Sequence, residues 1–481
     1  YAEDVAAEML LQVFSETLMS GHNESHNGRR TIDPMPRELT ARAASMLGAE
    51  DPFTNAVAEW AVSVNVCNEN DSGRHMWPGD SPPVWWDTWI NIPANKHLEL
   101  DYIRQVISLG MHRRGTDLLA LSKDQMRRAE EKAEWIKAQV SGGKSAGVDQ
   151  LVQRMQEEHR KFAAVVEANP QDLTACRETF LQWRPTVRAV VMAGPDVDFD
   201  SVVYATRPSG GPHGQPGAHL FNRWRQGGDI YVQDGLEPDA PTRAVLGDKL
   251  PKRMVQDLDL WYDADKVVFA ATDQGRVYQL WEIGLDGEGL TRLTETQSDE
   301  CDPADLPGGS VVFTSTLIGA GAMSGGGKNS HTNIFRLSAD RSETRRLSYC
   351  KDDDAYPYVL NDGRIVWMRW DYQERGVNEI FSLWVCRPDG TGADAFYRVH
   401  IPMGIIVQTL RDPEPIPGSE MIVATGGSHR THNEGTLVVA DPDMGINNPL
   451  GIRTVTPYST PTVYGYGQLM RPVEEGGVPY V

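Results

Sequence analysis

Two periodicities divide this chain. From Glu3 to about Trp183, apolar residues recur every three or four positions: Tyr102, Val106 and Leu109, then Leu118, Leu119, Met126, Ala129, Ala133 and Ile136. Arg127, Arg128, Glu130, Glu131 and Lys132 fall on the other side, so the spacing predicts amphipathic helices. Ser141-Gly142-Gly143-Lys144-Ser145 predicts a break. A run from Val148 to Ala168 predicts a second helix stopped by Asn169-Pro170, and a third starts near Asp172 with Cys176, Phe180 and Trp183. Trp77, Trp85, Trp86 and Trp89, set among prolines, predict a packed but irregular connector.

After Pro185 the period falls to two, or to short apolar runs such as Val202-Val203-Tyr204, Val267-Val268-Phe269, Val311-Val312-Phe313, Ile365-Val366-Trp367 and Met421-Ile422-Val423. Gly, Pro, Asp or Asn bounds each run, which predicts strands joined by tight turns. The runs also repeat as units. Asp299-Glu300-Cys301-Asp302-Pro303 leading to Val311-Val312-Phe313 aligns with Asp353-Asp354-Ala355-Tyr356-Pro357 leading to Ile365-Val366-Trp367. Asp257 to Phe269 and Arg411 to Val423 are further copies. A unit of about 45 to 55 residues is one four-stranded sheet, too thin to cover its own apolar faces, and several packed radially make a propeller. Units start near residues 198, 255, 299, 353 and 411, with a sixth beginning at Tyr464 and incomplete.

Composition narrows the function. Lys+Arg 46 against Asp+Glu 67 gives a net charge of −21, which repels nucleic acid and anionic lipid. The 45 glycines and 30 prolines suit a turn-rich β domain. Five scattered cysteines, Cys67, Cys176, Cys301, Cys350 and Cys386, form no disulfide framework and no Cys-x-x-Cys-His haem attachment. No apolar stretch is long enough to predict a membrane span. Tyr1 in place of Met, and the strand-like end Gly477 to Val481, read as the ends of a piece cut from a longer precursor.

The repeat units resemble TolB-type (PD40) propeller repeats. More narrowly, Asp362 to Tyr372, Leu383 to Gly392 and Pro415 to Ala424 are similar to the middle domain of the hydrazine synthase alpha subunit, a likeness covering roughly residues 172–481. Together with the helical periodicity, this predicts segregated α and β regions: a helical region over 1–185 and a TolB-like propeller over 186–481, of the six-bladed type that the resemblance implies, its last blade incomplete. The resemblance also implies export to the periplasm. The haem chemistry of that family does not carry over, because the attachment motif is missing from this sequence.

Candidate chemistry is sparse. His429-x-x-His432 with Glu434 follows a predicted strand, and His213 and His219 sit in the first-blade loop. Neutral imidazoles converging from these loops suit a divalent ion, Zn²⁺ or Mn²⁺. Asp352-Asp353-Asp354 reads as turn and blade packing, and His22 and His26 as a loop. Gly325-Gly326-Gly327-Lys328-Asn329-Ser330 lacks the first Gly and the Ser/Thr of a phosphate loop, and Gly426-Gly427-Ser428-His429-Arg430 is no nucleophile elbow. The leading expectation is therefore a non-catalytic interaction or scaffold protein whose propeller mouth takes a protein or a small ligand. One alternative is a metal-dependent polysaccharide lyase or hydrolase, with Arg369 or Arg411 pairing a substrate carboxylate. Another is a haem-lacking subunit of a redox complex.

Overall fold

Among the described residues the helical periodicity gives three long helices, α1 (Gly115–Gln139), α2 (Gly143–Ala168) and α3 (Leu173–Val191), and the helical residues Phe53, Ile103 and Val106 join their core. The computed structural model describes residues 45–56, 58, 98–99, 102–103, 105–106, 111–140, 143–206, 228–237, 240–273, 277–319, 321–322, 329–371, 381–397, 409–427 and 436–455, with the strand pair 23–24 and 30–31. On α1 the buried stripe is Leu118, Leu121, Ala129, Ala133 and Ile136, with Ser122 and Gln125 inside it. Leu119 and Met126, expected on that stripe, pack at its edge. The centre is aromatic: Phe162 of α2 meets Phe180 and Trp183 of α3, edge-on to Phe180 at 5.8 Å between ring centroids. Asp172 caps α3 by accepting from the Ala175 N–H at 3.1 Å. Pro185 lies within α3 and removes one helical hydrogen bond, yet the helix continues because Trp183, Val187 and Val190 are buried on either side of it. The tryptophan connector falls outside the described residues.

Among the described residues, five antiparallel sheets of three or four strands follow in chain order. The first holds β1 (Ser201–Thr206), β2 (Asp229–Asp234) and β3 (Thr242–Ala244). The second holds β4 (Val255–Leu260), β5 (Lys266–Thr272), β6 (Tyr278–Gly284) and β7 (Thr291–Arg292). The third holds β8 (Glu300–Asp305), β9 (Val311–Ser315), β10 (Asn333–Leu337) and β11 (Thr344–Arg346). The fourth holds β12 (Asp353–Val359), β13 (Ile365–Trp370), β14 (Phe381–Cys386) and β15 (Asp394–Tyr397). The fifth holds β16 (Thr409–Pro415), β17 (Ile422–Gly427), β18 (Thr436–Ala440) and β19 (Ile452–Thr454). A single parallel pair, Phe381 with Thr409, links the fourth sheet to the fifth.

The sheets stack face to face. Val311 and Phe313 of the third pack with Val268, Ala270 and Leu280 of the second, while Val312 and Ile334 turn the other way onto Val359, Ile365 and Trp367 of the fourth. Alternate residues of one strand therefore enter different cores, which is why the strands read as continuous apolar runs. Turn glycines with left-handed backbone, Gly308, Gly363 and Gly418, join the first and second strands of the last three sheets.

Each first strand from β4 onward carries a bulge against its partner, between Val255 and Leu258, Cys301 and Ala304, Ala355 and Tyr358, and Arg411 and Glu414. In the last three the bulge holds a left-handed residue, Asp302, Tyr356 or Asp412, followed by Pro303, Pro357 or Pro413. Proline donates nothing to the ladder, so the bulge is where a strand tolerates it.

The first sheet is built differently. The Val245 N–H to Ile230 carbonyl bond repeats those from Leu293 to Leu280 and from Leu347 to Ile334, which makes β1, β2 and β3 the counterparts of second, third and fourth strands. No described strand takes the first position there, and β1 is correspondingly wetter than β5, β9 and β13. Arg188 of α3 ties this sheet to the helices through Glu237, at 3.1 Å, and the Leu236 carbonyl. The described sheets do not close into a ring. No described helix is long and apolar enough to cross a membrane.

Candidate functional site

The first strands converge. Asp259 on β4 accepts at Oδ2 from the Asp305 N–H of β8 at 2.8 Å, and at Oδ1 from the Tyr358 hydroxyl of β12 at 3.3 Å. A side chain of the fourth sheet thus reaches past the third to the second. Flat layers would hold β4 and β12 two sheet spacings, about 20 Å, apart, so this contact requires first strands that turn around a common line. Register accounts for the meeting: Asp259, Ala304, Tyr358 and Glu414 sit opposite Val268, Val312, Val366 and Val423, the same step in four successive sheets.

Acids dominate this inner edge. Asp259 is 9% exposed and Asp305 5%. Burial raises the Asp259 carboxyl well above the usual carboxylate range, and the neighbouring Asp305 adds to it, so Asp259 holds a proton that an exposed carboxylate would release. Burial, then Asp259 and Glu414, raise the Tyr358 phenol. Glu414 on β16 is wet by surface area, yet burial still lifts its carboxyl, with Asp257 of β4 contributing. A group both wet and surrounded by protein lines a concave surface rather than an open face. Asp305 Oδ2 is buried with no hydrogen-bond partner among the described residues.

The arginines expected to meet a substrate, Arg369 and Arg411, are buried on their strands. Arg369 on β13 forms a bidentate pair with Asp354 on β12, Nε to Oδ1 at 2.7 Å and Nη2 to Oδ2 at 2.9 Å, while its guanidinium lies 4.1 Å from the Trp384 ring centroid. Trp367 Nε1 also donates to Asp354 Oδ1, at 2.8 Å. Arg369 is thereby engaged within its own sheet. Arg411 is buried on β16 opposite Thr425. Asp353 accepts at Oδ1 from the Thr332 N–H and hydroxyl, tying the fourth sheet to the third, and burial pushes its carboxyl up to about 7.

His429, His432, His213 and His219 lie outside the described residues. Their places in the chain are nonetheless related: the first pair falls between β17 and β18, the second between β1 and β2, both connections of a second strand to a third. His22 and His26 are likewise outside, beside the paired strands 23–24 and 30–31. Gly325 to Lys328 falls between the paired segments Gly321–Ala322 and Asn329–Ser330, so no helix follows it as a phosphate loop requires. The described cysteines are buried free thiols, and burial raises Cys176, Cys301 and Cys350 and pushes Cys386 up to about 12, which leaves them poor nucleophiles.

No family model and no curated protein matches the chain. Among solved structures it is similar to hydrazine synthase of Kuenenia stuttgartiensis, at 15% identity and TM-score 0.43, over 53% of this chain and 39% of that one. It is also similar to TolB of Acinetobacter baumannii, at 14% identity and TM-score 0.33, over 51% and 50%, and to an oligogalacturonate lyase in complex with manganese, at 14% and 0.32, over 48% and 59%. The chain thus spans half or less of the first two, and these likenesses bring no chemistry or partner with them.

Proposed function

We propose that this chain is a non-catalytic interaction protein: a helical region over 1–185 ahead of a TolB-like propeller of the six-bladed type over 186–481, whose mouth takes a protein or small ligand. The observation that carries this reading is the convergence of β4, β8 and β12 at Asp259, Asp305 and Tyr358. Strands converging at one line gather the connections of all their sheets around one opening. Connections such as 316–332 and 371–380 leave the strands at the end opposite the tight glycine turns. Segments of that length over a rigid scaffold are where binding residues concentrate. The buried polar pairs support the same reading, since Asp354 with Arg369 and Asp353 with Thr332 hold strands together. Leu317, exposed in the 316–332 connection, is the place for a photo-crosslinking residue. Specific adducts from native extract that are absent when the residue is placed at exposed Leu260 on the opposite end support the proposal, and equal labelling at both ends contradicts it.

A metal at the same mouth is the second reading, favoured by the equivalence of the two histidine-bearing connections in the first and fifth sheets. Stoichiometric Zn²⁺ or Mn²⁺ in the purified protein, lost on combining His429→Ala with His432→Ala, supports it. Metal-free protein that takes up neither ion removes it.

A further inference from the structure

We infer that the inner edge of β1 is a docking edge, where an extended, basic segment of a partner protein adds to the first sheet as its first strand. The inference rests on the proposed binding mouth and names how that mouth holds a partner. In β2 the Ile230 carbonyl and the Asp234 N–H turn toward the third strand, bonded to the Val245 N–H and the Pro241 carbonyl. Alternation therefore turns Asp229, Tyr231 and Gln233 toward their β1 partners Thr206, Tyr204 and Val202. The N–H and carbonyl groups of Val203 and Ala205 point away from the sheet, and no described strand lies beside them. Strands on the outer edges resist pairing: β3, β7, β11 and β19 are two or three residues long, and each carries an arginine. β1 runs six residues from Ser201 to Thr206 with no charge, no proline and no register break against β2. It is built as an interior strand.

The position selects the occupant. Val203-Tyr204 repeats the step of Val268-Phe269, Val312-Phe313 and Val366-Trp367 in the second strands of the next three sheets. Opposite Val268, Val312, Val366 and Val423 stand Asp259, Ala304, Tyr358 and Glu414, so a residue opposite Val203 joins the same inner edge. Asp259 and Glu414 bring carboxyl groups to that step, no lysine or arginine stands there, and the whole chain carries a net charge of −21. A lysine or arginine opposite Val203 is the complement of this edge. Residues 464–481 of this chain are a poor match, since they hold Arg471 against Glu474 and Glu475 and read as the start of a further sheet. A folded second copy does not suit it either, because the edge faces the line where β4, β8 and β12 meet, which one extended segment can reach and a folded domain cannot. Main-chain pairing with Val203 and Ala205 supplies affinity, and the alternate side chains that face the acids supply selectivity.

The test combines residue-resolved amide hydrogen exchange of the whole protein with anisotropy titration of a fluorescein-labelled Val-Lys-Val-Lys-Val-Lys-amide peptide. The same peptide N-methylated throughout, and a Val-Glu-Val-Glu-Val-Glu-amide peptide, are the comparisons. The inference predicts that in the free protein the amides of Val203 and Ala205 exchange fast while that of Tyr204 is protected. The lysine peptide should bind saturably, one to one, and slow exchange at Val203 and Ala205 at least tenfold. The N-methylated and glutamate peptides should each bind at least tenfold more weakly. Ala205→Pro removes an N–H from the open edge alone, so it should keep the fold and lose at least tenfold in affinity. The N-methylated peptide makes the same point on the unaltered protein if Ala205→Pro does not fold. Absence of saturable binding, equal affinity for the N-methylated or glutamate peptide, or unchanged exchange at Val203 and Ala205 overturns the inference. Protection of both amides in the free protein also overturns it, by showing that this chain covers its own edge. Adducts at Leu317 in that event would leave the mouth standing as an interaction surface held in another way.

Discussion

Asp354 and Arg369 face each other across the β12–β13 hairpin as a buried bidentate pair, with Trp367 donating to the same carboxylate and Trp384 stacked against the guanidinium. Every strong donor around Asp354 is thereby matched, and the pair closes the fourth sheet at the end where the long connections leave it. An arginine on a strand beside a binding mouth invites a substrate role, but here the geometry is one of internal support.

That support is measurable. Arg369→Met should destabilise the protein by about 3 kcal/mol, because the buried Asp354 carboxylate loses its partner. Arg369→Lys should recover only part of this, since an ammonium cannot reproduce the planar fork. Urea unfolding followed by tryptophan fluorescence checks both values. A loss below about 0.5 kcal/mol in Arg369→Met would show the pair to be dispensable.

A pH effect should arise from Asp353. Its folded carboxyl is pushed up to about 7 by burial, above its unfolded value, so its contribution to stability is present at low pH and lost as pH rises through about 7. Asp353→Asn keeps an acceptor for the Thr332 N–H and hydroxyl but removes the titration. The stability of Asp353→Asn relative to the parent protein should therefore increase between about pH 4 and 8, as measured by denaturant midpoints. A constant difference would mean the carboxyl ionises normally.

The helical unit should respond in the opposite direction. His159 is buried against Trp183, accepts from or donates to Ser122 Oγ at 2.9 Å, and is held below its ordinary range by burial, with Lys123 adding to it. A histidine whose folded value is depressed stabilises above its unfolded range, near 6.5, and that stability falls as pH drops. His159→Gln should flatten the acid loss of α1–α3, read through Trp183 fluorescence. An unchanged acid profile would place the titration elsewhere.

Close packing gives a fourth prediction. A Cβ on Gly115 would stand 2.9 Å from both Cys176 Sγ and the Pro170 carbonyl oxygen, so the start of α1 cannot carry a side chain without moving away from α3. Gly115→Ala should cost about 1 to 3 kcal/mol despite the helix propensity gained. Circular dichroism during thermal unfolding detects the loss, and an unchanged midpoint would mean the contact relaxes freely.

Much of this fold is legible in the sequence because it is local. Turn glycines such as Gly363, and prolines following Asp302, Tyr356 and Asp412, mark the repeat directly. The absence of a described first strand beside β1 was not legible, since Val202-Val203-Tyr204 reads like any other strand. Arg369 appeared available because its partner is 15 positions away, although a hairpin folded at Asn361-Asp362-Gly363 with one bulge brings the two opposite each other. The acidic inner edge is harder to see. Asp259 and Tyr358 are 99 residues apart and meet only because successive sheets turn about one line. The signal that reveals them is the residue opposite Val268, Val312, Val366 and Val423, which depends on knowing each bulge.

The convergence of the first strands is tested most directly by a double-mutant cycle between Asp259→Ala and Tyr358→Phe, with stability from urea unfolding at pH 6. Contact across the third sheet predicts a coupling of about 0.5 to 1.5 kcal/mol, as for a hydrogen bond between buried groups. Additive losses, with no coupling beyond error, would mean that β4 and β12 do not meet and that the sheets do not share an axis.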